Sequence, residues 1–201
     1  RIATRAALST WREFRRRGVD SPERIRGTGR DGLVAILDAG GYARYDFSTA
    51  TKLLAIAGDL LEGYGGDLNV LHDRSEGPRD LESRLQCLGK GIGPVTANIF
   101  LREMRPAWPK ADPAVSPLAV LAARDLGLAG REGNPMDALR SAWAADKAEG
   151  FVFGDFEAAL VRLGKDYCRK PRATGCPMRD LCPRSGSAGS TVPARGRRRS
   201  L

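Results

Sequence analysis

Aromatic residues are scarce in this chain, at 6% of 201 positions, and there is a single histidine. The hydrophobic share of 42% is therefore carried mostly by Ala, Leu and Val. Pleated sheets favour aromatic and β-branched residues, so this core argues for helices. No apolar run approaches the roughly 20 residues that a helical membrane span needs, and the first residues lack a signal-peptide pattern. Four cysteines are too few and too unevenly placed for a disulfide framework, and a reducing, cytoplasmic setting is expected. The one histidine, His72, lies in the link Leu71-His72-Asp73-Arg74 and reads as a surface loop residue, not a base.

What is present is positive charge. The net charge is +9, and the last stretch, 183–201, holds five arginines and no acid. The rest of the chain keeps four of those positive charges. Such a balance suits a polyanionic partner, although it does not name one. The Gly/Ser/Arg-rich end from 184 to 201 reads as a disordered basic tail.

Helical periodicity runs through the remainder. Leu8, Trp11 and Phe14 give one face of a helix over 3–17, ended by Arg15-Arg16-Arg17. A short helix is expected over 31–37 with Asp31 as its cap. A longer one is capped by Ser48 and ends near Gly63. Leu81, Leu85 and Leu88 form the stripe of a helix over 78–88, where Cys87 reads as a small buried hydrophobe. Further helices are expected over 94–104, over 115–126, after Asn134-Pro135, and after Asp155. Nothing reads as a strand of any length, so the predicted fold class is all-α.

The informative stretch joins two of these helices. It reads Leu88-Gly89-Lys90-Gly91-Ile92-Gly93-Pro94-Val95-Thr96 and continues to Trp108-Pro109-Lys110-Ala111-Asp112. Pro94 sits where a first helical residue belongs, since its missing N–H costs nothing there. The glycines permit a turn that a Cβ would strain. The amides of the turn and helix start then point outward, and such a concave set binds an anion, with phosphate the obvious candidate. Lys90, Gly91, Ile92, Gly93, Val95 and Thr96 are the candidate DNA-binding residues.

This stretch resembles the helix-hairpin-helix of the DNA glycosylase superfamily that includes endonuclease III and the adenine glycosylases. In that family the loop after the hairpin ends in a catalytic aspartate, and here the loop 105–111 ends in Asp112 at the family's spacing. The resemblance covers about residues 40–182. It implies a two-lobed, all-α fold: a helical barrel lobe over 1–106 ending in the hairpin, and a C-terminal helical lobe over 107–183. A cleft between the lobes would accept a base flipped out of double-stranded DNA. The implied protein is a monomeric, nucleoid-associated enzyme of base-excision repair that releases a damaged or mismatched base.

Two departures from the family shape the expected activity. Members that also cleave the strand carry a lysine after the hairpin glycines, and Val95 stands at that position; valine is no nucleophile. A monofunctional glycosylase acting through Asp112 is therefore expected. The alternatives are a glycosylase/lyase using a displaced lysine, with Lys110 a better candidate than Lys90, and a catalytically silent DNA-binding protein. The second departure is in the cysteines. Cys168, Cys176 and Cys182 resemble three of the four ligands of the family's C-terminal iron–sulfur loop. Ala173 stands where the second cysteine belongs, and the first interval is two residues short. An iron–sulfur cluster with an outside ligand and a loop of free, reduced thiols both remain open. Neither is required for the chemistry.

Overall fold

The computed structural model describes residues 4–170 and 175–183. The expected basic tail over 184–201 and Ala173 lie outside the described residues. The described residues contain nine α-helices and no strand, as the composition predicts. None of the helices is long and apolar enough to cross a membrane. The chain divides into two compact units between Pro113 and Ala114, so the loop that carries Asp112 belongs with the hairpin.

The first unit begins with α1 (Thr4–Arg16), followed by α2 (Pro22–Ala39) and α3 (Asp46–Tyr64). Ser21 accepts from the amide of Arg24 and caps α2, with Pro22 in the first turn. Helix α2 is broken at Gly29 (φ 68°, ψ 175°), so its second half starts close to the expected Asp31. Asp31 is nevertheless not its cap. Helix α3 starts at Asp46, two residues ahead of Ser48, whose hydroxyl instead donates to the Tyr45 carbonyl. Val19, Leu33, Ile36, Leu37 and Ala50 form the core that these helices share.

Next come α4 (Leu68–Arg74), α5 (Pro78–Cys87) and α6 (Pro94–Met104). Helices α5 and α6 are the predicted hairpin. Helix α4 is a correction, because the sequence around His72 reads as a link. Asp67 caps it by accepting from the Asn69 amide at 2.8 Å. A second core gathers Leu60, Leu71, Leu81, Leu85, Leu88, Leu101, Trp108 and Ala111. Each buried leucine contributes about 1.5–3 kcal/mol. The expected stripe of Leu81, Leu85 and Leu88 is all in it, and the face opposite is exposed. Cys87 falls on that opposite face, so it is exposed and not a buried hydrophobe.

The second unit holds α7 (Pro117–Asp125), α8 (Pro135–Ala145) and α9 (Phe153–Leu163), and α9 runs into a π-helical turn, Gly164–Cys168. Asn134 caps α8 as predicted, accepting from Met136 at 2.9 Å. Helix α9 starts two residues before Asp155, whose carboxylate reaches back to the Val152 amide at 3.0 Å. Ala119, Ala122, Ala123, Leu139, Leu160 and Leu163 form this unit's core.

Candidate functional site

The turn between α5 and α6 is fixed by apolar side chains on both flanks. Leu88 is buried, and Ile92 and Ile56 of α3 pack against the same core. Gly89 has φ 151°, and a Cβ there would lie 2.8 Å from Ile56 Cγ1 and 3.5 Å from the Ile56 backbone. The close approach of turn to helix therefore requires glycine. Gly91 has φ 124° and lies over the Lys52 side chain. With the apolar groups pointing in, the main chain faces out. Lys90, Gly91, Val95 and Thr96 are exposed, while Ile92 and Gly93 are half-buried.

Gly93 is the N-cap of α6, with extended φ and ψ, and brings no side-chain acceptor to the amides of Val95 and Thr96. Those amides, the positive end of the helix dipole and the neighbouring Lys90 make a surface suited to an anion. All six candidate DNA-binding residues thus fall on one turn and one helix start. Val95 is 74% exposed, so the position that carries a lysine in strand-cleaving members of the resembled family is open to solvent here.

The loop from α6 to Asp112 is tied down along its length. Trp108 is buried, and its indole N–H donates to Asn69 Oδ1 at 3.0 Å. The His72 ring stacks on it with centroids 5.0 Å apart, and Phe100 meets it edge-on at 5.5 Å. Ala111 is buried in the same cluster. The Arg105 guanidinium donates to the Pro113 carbonyl at 2.8 Å, which closes the loop on itself. Asp112 then stands exposed at its end, its amide donating to the Lys110 carbonyl at 3.0 Å. Asp112 is not a helix cap, because α7 starts at Pro117 with Ser116 before it.

His72 is the residue that sequence reasoning misplaced. It is 8% exposed, its Nδ1 lies 2.9 Å from Asp73 Oδ1, and its buried Nε2 has no hydrogen-bond partner among the described residues. The signal was Asp67, a capping residue directly before Leu68-Asn69-Val70-Leu71, which opens a short helix and turns His72 inward.

Lys110 reaches back to the same helix. Its Nζ donates to the carbonyls of His72 and Asp73 at 2.9 and 3.0 Å. These are end groups of α4, where a cation also meets the negative end of the dipole. The Arg84 guanidinium, 2.7 Å from Asp80, holds that carboxyl below its ordinary range, with smaller contributions from the Glu76 amide and from the charge of Lys110.

In the second unit, Cys168, Cys176 and Cys182 are half-buried and reduced. The Cys182 thiol donates to the Asp125 carbonyl at 3.2 Å. Burial pushes the Cys168 thiol up to about 11, helped by a hydrogen bond with Asp125, the Asp125 charge and the nearby Cys176 and Cys182. Four thiolates normally hold an iron–sulfur cluster. The described cysteine donors are three thiols, one of them engaged with a main-chain carbonyl. Among the described residues no group of three His, Cys, Asp or Glu side chains is disposed to hold a metal ion. As placed, this donor set does not fit a four-thiolate cluster.

No family model matches the chain, and no curated protein and no solved structure shows significant similarity to it.

Proposed function

We propose that this chain is a monofunctional DNA glycosylase of the two-lobed helix-hairpin-helix type. It hydrolyses the N-glycosidic bond of a damaged or mismatched base through Asp112 and needs no cofactor for that chemistry. The observation that carries the reading is the shared core of hairpin and loop: Trp108 and Ala111 pack in the same cluster as Leu85, Leu88 and Leu101. An anion-binding turn and an exposed carboxylate are thereby held on one rigid piece.

Each part has a physical role. The turn grips a backbone phosphate through the amides of Val95 and Thr96 and the Lys90 ammonium, which sets the register on the duplex without reading sequence. As the bond to the base breaks, positive charge develops on the sugar. A fixed carboxylate stabilises that charge electrostatically. The same carboxylate orients the attacking water and accepts its proton. The base leaves, and an abasic site remains.

Lys110 supports the monofunctional form of the proposal. An imine-forming lysine must present a free amine to the sugar, whereas this one spends two of its N–H groups on carbonyls of α4. Lys90 is exposed on the turn, where a phosphate contact occupies it.

The test is base release from duplexes that each carry a single uracil, 8-oxoguanine, thymine glycol or G·A mismatch, followed by hot alkali. Alkali-dependent cleavage by the intact protein that disappears in Asp112→Asn, with DNA binding kept, supports the proposal. Cleavage without alkali, trapped by borohydride, transfers the activity to a lysine. Tight duplex binding with no base release from any probe supports a silent binding protein instead.

A further inference from the structure

The loop 105–112 is short and carries an exposed carboxylate, yet its geometry is set from outside by α4. Three independent contacts run between them. The indole of Trp108 is fixed in direction by Asn69. Its face is covered by the His72 ring at an interplanar angle of 27°. The Lys110 ammonium bridges two successive carbonyls at the end of the helix. The first two lock the middle of the loop, and the third acts within two residues of Asp112.

We infer that Lys110 is a positioning residue, a clip from the Asp112 loop to the C-terminal carbonyls of α4 that holds the carboxylate where positive charge appears on the sugar. The inference rests on the catalytic reading of Asp112. It assigns Lys110 no contact with substrate and no covalent step. A carboxylate meant to stabilise charge must be held against thermal displacement, because a misplacement of about 1 Å costs on the order of a hundredfold in rate. Lysine suits this role because two of its three donors meet carbonyls at the negative end of a helix. The clip also accounts for why a lysine near the active aspartate coexists with a valine at the nucleophile position.

The experiment compares two duplexes that need no knowledge of the natural lesion. One carries a neutral tetrahydrofuran in place of a nucleoside sugar, and the other a cationic pyrrolidine that imitates the charged transition state. The tetrahydrofuran affinity reports the hairpin and an intact fold, and the ratio of the two affinities reports the field of Asp112. The intact protein is expected to prefer the cation by about tenfold or more. Asp112→Asn is expected to abolish the preference. Lys110→Ala is expected to lose most of it with tetrahydrofuran affinity unchanged, and Lys110→Arg, which can still bridge two carbonyls, to recover part of it. Lys110→Ala placed on Asp112→Asn is expected to add nothing further.

A full preference retained in Lys110→Ala, with Asp112→Asn silent, overturns the clip and leaves the glycosylase reading standing. A preference that survives Asp112→Asn, or none in the intact protein, overturns both. Should Lys110→Ala lose tetrahydrofuran affinity as well, Asn69→Ala decides. That variant frees Trp108 but leaves the lysine bonds, so a larger loss of preference from Asn69→Ala than from Lys110→Arg overturns the clip, and a smaller one supports it.

Discussion

The hairpin end of the first unit and the described cysteines of the second are built in opposite ways. In the hairpin the side chains are apolar and turn inward: Leu88, Ile92 and Ile56 meet beneath it. Ile92 donates to the Gly89 carbonyl within the turn, and no side chain caps the start of α6. At the described cysteines, two thiols turn toward the protein. Cys182 donates to the Asp125 carbonyl, and Cys168 interacts with the same aspartate while packing against the core of the second unit. An exposed, glycine-rich helix start beside a lysine suits an outside anion. A thiol that donates to a main-chain carbonyl helps hold its own segment. On the proposed reading, that contrast favours the first unit's turn as the DNA contact and a structural part for the cysteines.

The comparison breaks most directly at Asp112. Asp112→Asn removes a full charge from the end of the anchored loop and preserves its shape. Base release is expected to fall about 10²–10³-fold, as when an electrostatic stabiliser is removed elsewhere, while duplex affinity stays within a few fold. Single-turnover kinetics beside a binding titration checks this, and equal losses in both would return Asp112 to a binding role. Next in size is Gly89→Val. The new side chain would run into Ile56 from a backbone angle that branched residues avoid. The expected cost is about 1–3 kcal/mol of stability, read by thermal melting, with a clear loss of duplex affinity. Unchanged binding in a folded Gly89→Val protein would remove the turn from the interface.

These sites differ in how far the sequence exposes them. The limits of α6, Pro94–Met104, follow from Pro94 and the apolar spacing, because a proline at the first helical position and apolar residues such as Ala97 and Leu101 at helical spacing are local signals. The cap Asn134 is read for the same reason. Helix α4 was not legible. It is seven residues long, below the window in which periodicity is measurable, and its stability comes from the long-range partners Trp108 and Lys110. His72 was placed on the surface because polar neighbours argue for exposure, whereas its burial depends on an indole 36 positions later in the chain. Likewise Lys110 is a lysine near an aspartate in sequence, and only the fold shows that its donors point to α4. Helix α2 starts well before the expected Asp31, because Ser21-Pro22 opens it upstream of the Gly29 break, and α3 starts just ahead of Ser48, because Tyr45 precedes it without a capping side chain that the sequence could show.

A smaller effect is expected from Lys90→Ala. Lys90 is exposed and donates charge to the turn without shaping it. Its loss should weaken binding by a few fold on every duplex and reduce the salt slope by roughly one counterion. Titrations at two or three salt concentrations measure both quantities. A sequence-dependent loss would mean that Lys90 reads a base edge and not a phosphate.

The least consequence for catalysis belongs to the cysteines, and there pH provides the probe. Burial and its neighbours move the Cys168 thiol from an ordinary value of 9.0 to about 11. The folded state therefore favours the protonated thiol. That contribution to stability is fully present below pH 9.0 and is lost as pH rises through about 11. The thiolate is the nucleophile, so below pH 9.0 alkylation of Cys168 in the native protein should run well behind the same residue in denaturant. Exposed Cys87 should be modified first. Mass mapping of alkylated peptides between about pH 7 and about pH 11 gives the order directly. Rapid native modification of Cys168 at neutral pH would contradict the buried, protonated thiol. Protection that a chelator abolishes would instead mean that an added metal holds these sulfurs as thiolates, since a bound cation reverses the sense of the shift. Slow modification that is indifferent to chelator and speeds up toward about pH 11 would keep the contrast with the hairpin: a turn proposed to meet an outside anion, and a Cys168 thiol held by its own neighbours.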